Sequence, residues 1–460
     1  MGPRCEIRPL CTYFKLNEAA KIRVKTPFGM TEEFDCPRIV KQGSVLSSNL
    51  CSSSTAQICD QNMMGGIYTG TFVINDVLYV DDTTDLNDDI NETVESNQEV
   101  VNFSKSKRLS LNHPKCGLIT INKKKHHSSP TLKIGEGTIP QIKSTKLLGD
   151  IINEKGNNRD MIDDKIKKAQ AALINCLSLC NEVTLGLFFV KSALILYRSV
   201  FLATLLFNSQ SWRNLTKTEL KKLEVIQLRF LKRVMKAPLS TPNSFVFLEV
   251  GELPVAYIIH SRQLGFLHHI HHLDEADPVK QMYDAQLLLP FEKNWANEVN
   301  LLLEKYSLND VVIRNTSKLS WKSLVKEQIV KKAFENLTLD LHNKSKTKDL
   351  QYNSLEPQHY ITSYHHKQAS VIFKLRSRSI DCKANRKSSN PDMSCRLCHE
   401  SDETQDHVVN CPKVTDGPAL NLSVLFHPEV PEDNSEIVDI CRRVDLFNSL
   451  VNDMDSETST

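Results

Sequence analysis

Leu78-Tyr79-Val80-Asp81-Asp82 decides how this chain is read. Phe72-Val73-Ile74 and then Val77-Leu78-Tyr79-Val80 form an apolar run that predicts a buried β-strand. Asp81 and Asp82 fall on the turn where that strand ends. Two adjacent carboxylates concentrate negative charge, which is costly unless a hard cation neutralises it. Mg²⁺ held by carboxylates and substrate phosphates is one solution. Taken alone, an Asp-Asp pair after a strand also reads as a solvated turn.

Working outward, Lys41-Gln42-Gly43-Ser44 lies upstream, and Lys115-Cys116-Gly117 and Lys146-Leu147-Leu148-Gly149-Asp150 lie downstream. In this order and spacing the four stretches resemble the later palm motifs of a reverse transcriptase. The closest resemblance is to the enzymes of LINE-type (non-LTR) retrotransposons, over residues 20 to about 415. The resemblance implies an RNA-directed DNA polymerase, a nucleotidyltransferase with an RNA template, a DNA primer and deoxynucleoside triphosphates as partners. It implies Gln42 and Gly43 against template and nucleotide, with Tyr79 and Val80 packing on the primer end. Asp81 becomes a shared Mg²⁺ ligand, Asp82 a weaker one, and Lys115 a proton donor to the leaving pyrophosphate. Lys146, Leu148 and Gly149 match the primer grip.

That family's first palm motif carries an Asp several dozen residues before the Gln-Gly motif. Only 41 residues precede Gln42 here, and the one Asp among them is Asp35, in Thr31-Glu32-Glu33-Phe34-Asp35. It follows the turn-like Pro27-Phe28-Gly29 and stands too close to Gln42. Phe28 to Val40 therefore predicts a hairpin, with Asp35 a surface carboxylate. The expectation is an N-terminally truncated enzyme, inactive alone. The alternative is a remnant that binds nucleic acid without copying it.

A length of 460 residues allows two or three domains, and 40% hydrophobic content supports a real core. The net charge of +2 does not mark a nucleic-acid binder, so local charge carries that argument. Lys105, Lys107, Arg108, Lys115 and Lys123 to Lys125 form one basic region, and residues 217 to 236 another. Both suit backbone contact or a solvated face. The first residues, Met1-Gly2-Pro3-Arg4-Cys5-Glu6, have no apolar core and do not read as a signal peptide. Leu185 to Phe207 is the longest apolar run, but Lys191 and Arg198 interrupt it, so it predicts a buried helix rather than a membrane span. Thirteen mostly scattered cysteines suit a reducing compartment. The expected location is intracellular, in nucleus or cytoplasm.

The fold class expected is α+β. A partial polymerase palm (1–155) precedes a helical thumb-like region (156–275), a helical connector (276–375), a zinc-binding segment (376–415) and a polar tail (416–460). After the hairpin, Ile90, Val94 and Val101 recur at helical spacing, with Asn87 or Asp88 as cap. Cys116 to Ile121 predicts a strand, and Thr131 to Ile142 an extended pair turned at Gly135 and Gly137. Ile162, Ile166, Ala169, Leu173, Cys176 and Cys180 make an apolar helical stripe. Thr216-Lys217-Thr218-Glu219 is a capping box opening a helix with Leu220, Leu223, Phe230, Leu231 and Val234 inward. Its basic face would carry Lys217, Lys221, Lys222, Arg229, Lys232, Arg233 and Lys236. His268, His269, His271 and His272 scatter around a helix and do not suit one metal ion. The stretch after Pro428 is acidic and Ser-rich and is expected to fray.

Cys395 and Cys398, followed by His407 and Cys411, give the pattern Cys-x₂-Cys-x₈-His-x₃-Cys. Two sulfurs two residues apart form a turn that offers both thiolates to one ion. His and Cys four positions apart share a helix face and complete a tetrahedron. Four protein ligands leave no open position, so the zinc expected here is structural. Arg376, Arg378, Lys383, Arg386 and Arg396 crowd the cluster, which suits a nucleic-acid contact.

Overall fold

In the computed structural model the chain divides into two compact units, Met1–Ile142 and Lys143–Thr460. The structure describes residues 21–35, 49, 52, 56, 65–70, 72–80, 82–107, 109–121, 131–134, 137–180, 186–289, 293–308, 310–386, 392–427, 430 and 434–457. Over these residues it is α+β, largely helical, with small antiparallel sheets.

In the first unit, β1 (Lys21–Ile22) pairs with β4 (Phe34–Asp35) around a hairpin of β2 (Lys25–Thr26) and β3 (Gly29–Met30). The predicted hairpin thus begins earlier than Phe28, and Asp35 is exposed on it as expected. Next, β5 (Ile67–Tyr68) pairs with β6 (Val73–Ile74), and β7 (Asp76–Tyr79) pairs with β8 (Asp82–Asp85). The apolar run at 72–80 is therefore not one buried strand. Asn75 separates β6 from β7, and its carbonyl accepts the Leu86 N–H at 2.6 Å. Val73, Val77 and Tyr79 are exposed. Among the described residues each sheet here has two strands.

Helix α1 (Ile90–Ser106) follows, capped one residue later than expected: the Asp89 carboxylate accepts the N–H groups of Asn91 and Glu92 at 2.7 and 3.3 Å. Cys116 to Ile121 does not form the predicted strand; it makes a single bridge, Leu118 to Gln141. Pro114 holds His113–Lys115 in a 3₁₀ turn, and Ile142 occupies the space beside Gly117. A Cβ at position 117 would lie 2.4 Å from the Ile142 side chain. β9 (Leu132–Ile134) and β10 (Gly137–Ile139) do pair, with Gly137 inside the strand rather than at the turn; residue 135 lies outside the described residues.

The second unit opens with β11 (Ser144–Leu147) and β12 (Asp150–Asn153), joined through Leu148 and Gly149. Both linkers have positive φ, and the Phe207 ring would sit 2.7 Å from a Cβ at 149, so glycine is required there. α2 (Arg159–Leu179) buries the predicted stripe: Ile162, Ala169, Leu173 and Cys176 face inward. Lys165 joins them because its ammonium pairs with Asp150 at 2.6 Å and donates to the Gly149 carbonyl at 3.0 Å. α3 (Gly186–Leu205) is, among the described residues, the one helix long and apolar enough to cross a membrane. One face of it, with Val190, Ala193, Leu194, Tyr197, Phe201 and Leu205, lies in the protein core, while Leu187, Phe188, Ile195 and Val200 are exposed, so the predicted buried helix is buried on one face only.

α4 (Lys217–Val234) has the predicted capping box: Thr216 Oγ1 accepts the Glu219 N–H at 3.2 Å, and Glu219 accepts the Thr216 N–H at 2.8 Å. Helices α5 (Asn243–Val250), α6 (Val255–His271), α7 (Pro278–Leu288), α8 (Trp295–Lys305), α9 (Asp310–Asn315), α10 (Lys318–His342), α11 (His359–Ser363) and α12 (His366–Arg376) build the body. Inside it Arg376 and Glu249, both fully buried, pair at 2.7 Å. Tyr352 and Tyr360 donate their hydroxyls to the same carboxylate. After α13 (Gln405–Asn410) comes the largest correction. The acidic end of the chain does not fray from Ser435 on but forms α14 (Ser435–Glu457). Ile437, Ile440, Cys441, Val444, Phe447 and Val451 recur at three and four residues and enter the core.

Candidate metal centre

The Cys395-Arg396-Leu397-Cys398 stretch forms a tight turn because backbone N–H groups point at the sulfurs. Leu397 N–H donates to Cys395 Sγ at 3.4 Å, and Glu400 N–H to Cys398 Sγ at 3.5 Å. His399, at φ 60°, turns the chain back, and Ser394 bridges to Asp402. Thr404 then caps α13 by accepting the His407 N–H at 3.2 Å. That cap fixes the helix turn carrying His407 and ending at Cys411.

The four donor atoms converge. Cys395 Sγ lies 3.9 Å from Cys411 Sγ, and Cys398 Sγ lies 3.3 Å from His407 Nε2. All four lie within 4.8 Å of one another. A tetrahedral ion with metal–sulfur bonds of about 2.3 Å needs sulfurs about 3.8 Å apart and a sulfur–nitrogen separation of about 3.6 Å. The cluster can therefore hold a metal ion, and its donor set suits zinc. Burial, with the neighbouring Cys395 thiol, pushes the metal-free Cys411 thiol up to about 12. A cation would offset that penalty by holding the thiolate. With four ligands filling the shell, no position remains for a reacting water.

The surrounding cations do not form the free basic face expected from sequence. Arg376 is in the core. Arg378 pairs with Asp349 at 3.2 Å, Lys383 with Asp392 at 2.8 Å, and Arg386 with Asp381 at 2.8 Å. Arg396 forks onto the buried Glu403 at 2.8 Å and reaches Asp381. Glu403 also accepts the backbone N–H groups of Arg396 and Lys383 at 2.8 and 3.0 Å. Burial alone would raise its carboxyl, but Arg396 outweighs that and holds it below the ordinary range. Asp381 and Glu403 thus brace the two-cysteine turn. Sequence reading missed both, since acidic residues 14 and 5 positions from Cys395 and Cys398 carry no local signal.

Of the polymerase-like residues, Gln42, Gly43 and Asp81 lie outside the described residues. Tyr79 and Asp82 face each other as the last pair of the β7–β8 hairpin, both exposed, with Val80 between them at φ 59°. Lys115 ends the 3₁₀ turn, exposed, and among the described residues no ion pair joins it to Asp82. Lys146 is exposed on β11, and Leu148 and Gly149 form that hairpin's turn. Asp76 and Asp85, opposite one another at the open end of β7–β8, escaped notice in the sequence. Burial raises the Asp85 carboxyl, while Ser96 donates to it at 2.6 Å.

On α4, Lys217, Lys221, Lys222, Arg229 and Arg233 are exposed as expected, and Lys236 is exposed just beyond the helix end. Lys232 is not. It is buried, and its ammonium donates to the Leu239 and Thr241 carbonyls at 2.7 Å each and to Asn243 Oδ1 at 3.0 Å. Of the histidines on α6, His268 and His272 stack on each other, and His268 bonds the Thr316 carbonyl. No known protein family and no curated protein matches this chain.

Proposed function

We propose that this chain derives from the reverse transcriptase of a LINE-type retrotransposon and, as these 460 residues, holds nucleic acid without copying it. The observation that supports this reading is the β7–β8 hairpin, in which Tyr79 pairs with Asp82 beside the left-handed Val80, with a helix close behind; Asp81 itself lies outside the described residues. In that reading Gln42, Gly43, Tyr79 and Val80 meet template, primer and nucleotide, and Lys146, Leu148 and Gly149 meet the primer strand. Asp81 and Asp82 are the Mg²⁺ ligands and Lys115 the proton donor. The exposed cations of α4 follow the duplex phosphates. The zinc held by Cys395, Cys398, His407 and Cys411 is structural and braces the segment around it. The working location is inside the cell, with the nucleic acid.

A primer extension assay on an RNA template with Mg²⁺ tests this. No extension is expected, because Asp82 stands exposed on a two-stranded ribbon, short of the rigid scaffold that paired metal ligands need. Loosely held metal ligands remove several kcal/mol, on the order of 10³-fold or more in rate. Retention of an RNA–DNA hybrid on a filter is expected, falling as salt rises. Extension that Asp81→Asn abolishes overturns the non-copying reading; failure to retain any nucleic acid overturns both. Metal analysis should find about one zinc per chain, lost in Cys398→Ser. Equal zinc in the two proteins removes the zinc assignment.

A further inference from the structure

A cleft of about 690 Å³ lies between α4, the 239–244 loop, α6 and α10. That is within the range of small-molecule sites. Its chemistry is lopsided. Glu224 of α4 and Asp340 of α10 both line it. Burial pushes the Glu224 carboxyl up, and the Asp340 charge adds to that. The cations nearby are engaged. Lys232 uses its three N–H groups on Leu239, Thr241 and Asn243. Lys344 pairs with Asp340 at 3.2 Å, one turn away on the surface. Glu224 receives one long amide contact, from Asn243 at 3.5 Å. Two further cleft-lining residues, Thr241 and Ser244, are 3% and 2% exposed, and neither hydroxyl has a hydrogen-bond partner. Buried hydroxyls without partners are costly, and Glu224 has, among the described residues, no ion-pair partner of its own. Phe247, Leu337 and Pro254 supply an apolar wall.

We propose that this cleft binds a primary alkylammonium group carried on an aliphatic chain. The three N–H donors of an ammonium match the Glu224 carboxylate and the Thr241 and Ser244 hydroxyls. The aliphatic chain lies along Phe247 and Leu337, and Asp340 attracts the charge at the mouth. The group comes from a free polyamine or from a lysine side chain of a peptide, which share this chemistry.

Calorimetric titration of the full chain with spermidine, with Nα-acetyl-lysine amide and with the uncharged 1,4-butanediol tests the assignment. An amine should bind and the diol should not. Spermidine alone binding identifies a free polyamine; the lysine amide alone identifies a side chain; both binding leaves the ammonium as the recognised feature. Glu224→Gln should weaken binding about tenfold or more, the range for a charge-assisted hydrogen bond. Asp340→Asn, at an exposed position that tolerates the change, should weaken it several-fold. Glu335→Gln, whose carboxylate pairs with Lys332 and does not line the cleft, should bind as the parent does. Binding of neither amine, equal binding of the diol, or unchanged affinity in both Glu224→Gln and Asp340→Asn overturns the proposal. Circular dichroism shows whether Glu224→Gln is folded; if it is not, Asp340→Asn decides.

Discussion

The unit before Lys143 and the unit after it bury apolar surface very differently. Among the described residues of the first unit, the buried hydrophobic side chains are Val101, Phe103 and Leu132, around α1 and β9. Its strands pair only two by two. A two-stranded ribbon is marginal in water unless a third strand or a helix covers it. The second unit runs one apolar cluster from Met161 to Val451 and a second around Trp295 and Trp321. Two of its buried cations are paired: Arg376 with Glu249, Lys232 with three oxygens. Resistance to unfolding should therefore reside in the helical unit, while the catalytic-looking motif sits on thinly supported backbone. A carboxylate pair that must hold metal ions needs a rigid scaffold. The β7–β8 hairpin has helix α1 on one side, through Ser96, and exposed Val77 and Tyr79 on the other.

The sharpest way to break this comparison is at the buried ion pair. Arg376→Ala leaves Glu249 charged, buried and short of a partner. The expected cost is about 3–5 kcal/mol, read as a shift in the urea midpoint of the helical unit. Arg376→Met with Glu249→Gln should recover much of it, because no charge then remains inside. A loss under 1 kcal/mol for Arg376→Ala would mean that the pair is not buried in solution.

Phe447→Ala examines the end of the chain next. Phe447 is fully buried on α14, and truncation should cost about 3 kcal/mol. A frayed tail would show no cost. This helix also shows where sequence reading fell short. Composition said acidic and Ser-rich, and that hid the spacing of Ile437, Ile440, Cys441, Val444, Phe447 and Val451. Where periodicity was followed instead, as from Ile162 to Cys176, the buried face came out correctly. The Thr216–Glu219 cap and the four-residue Cys/His cluster that could hold a metal ion were legible for a related reason: each is a local pattern whose spacing is itself the geometry. Lys232 and Arg376 were not. Their partners lie in a loop and in a helix 127 residues away, so their residue type suggested surface and tertiary packing overruled it. The 72–80 run misled because apolar content does not say how many strands will pair beside it.

A smaller effect should appear with pH. Burial, and then the Lys305 charge, lower His260 from 6.5 to about 3. Its Nδ1 lies 2.6 Å from the Tyr306 hydroxyl, and Tyr257 and Lys305 also face this region. His260 is thus neutral in the fold, whereas the unfolded chain protonates it below 6.5. Its contribution is fully present above pH 6.5 and is lost as pH falls from there towards about 3. Between pH 6.5 and 5.5 the loss should be ~1 kcal/mol. His260→Gln should flatten that part of the stability curve; an unchanged slope would sink the assignment.

The smallest expected effect tests the weaker unit. Val80 is β-branched and sits at φ 59°, in the left-handed region, between Tyr79 and Asp82. Glycine adopts that conformation freely, so Val80→Gly should stabilise the hairpin by about 0.5–1 kcal/mol. The readout is local: slower hydrogen exchange at the Leu86 amide, which bonds the Asn75 carbonyl beside the hairpin. The urea midpoint of the helical unit should not move, because the turn contributes nothing to that core. Faster exchange at Leu86 would show that the valine side chain supports the turn and that φ is not its limiting cost. A shift in the helical unit's midpoint would show that the two units do not unfold separately. If strain at Val80 serves to present the adjacent carboxylates, the glycine variant should also retain RNA–DNA hybrid less well while its hairpin becomes more stable.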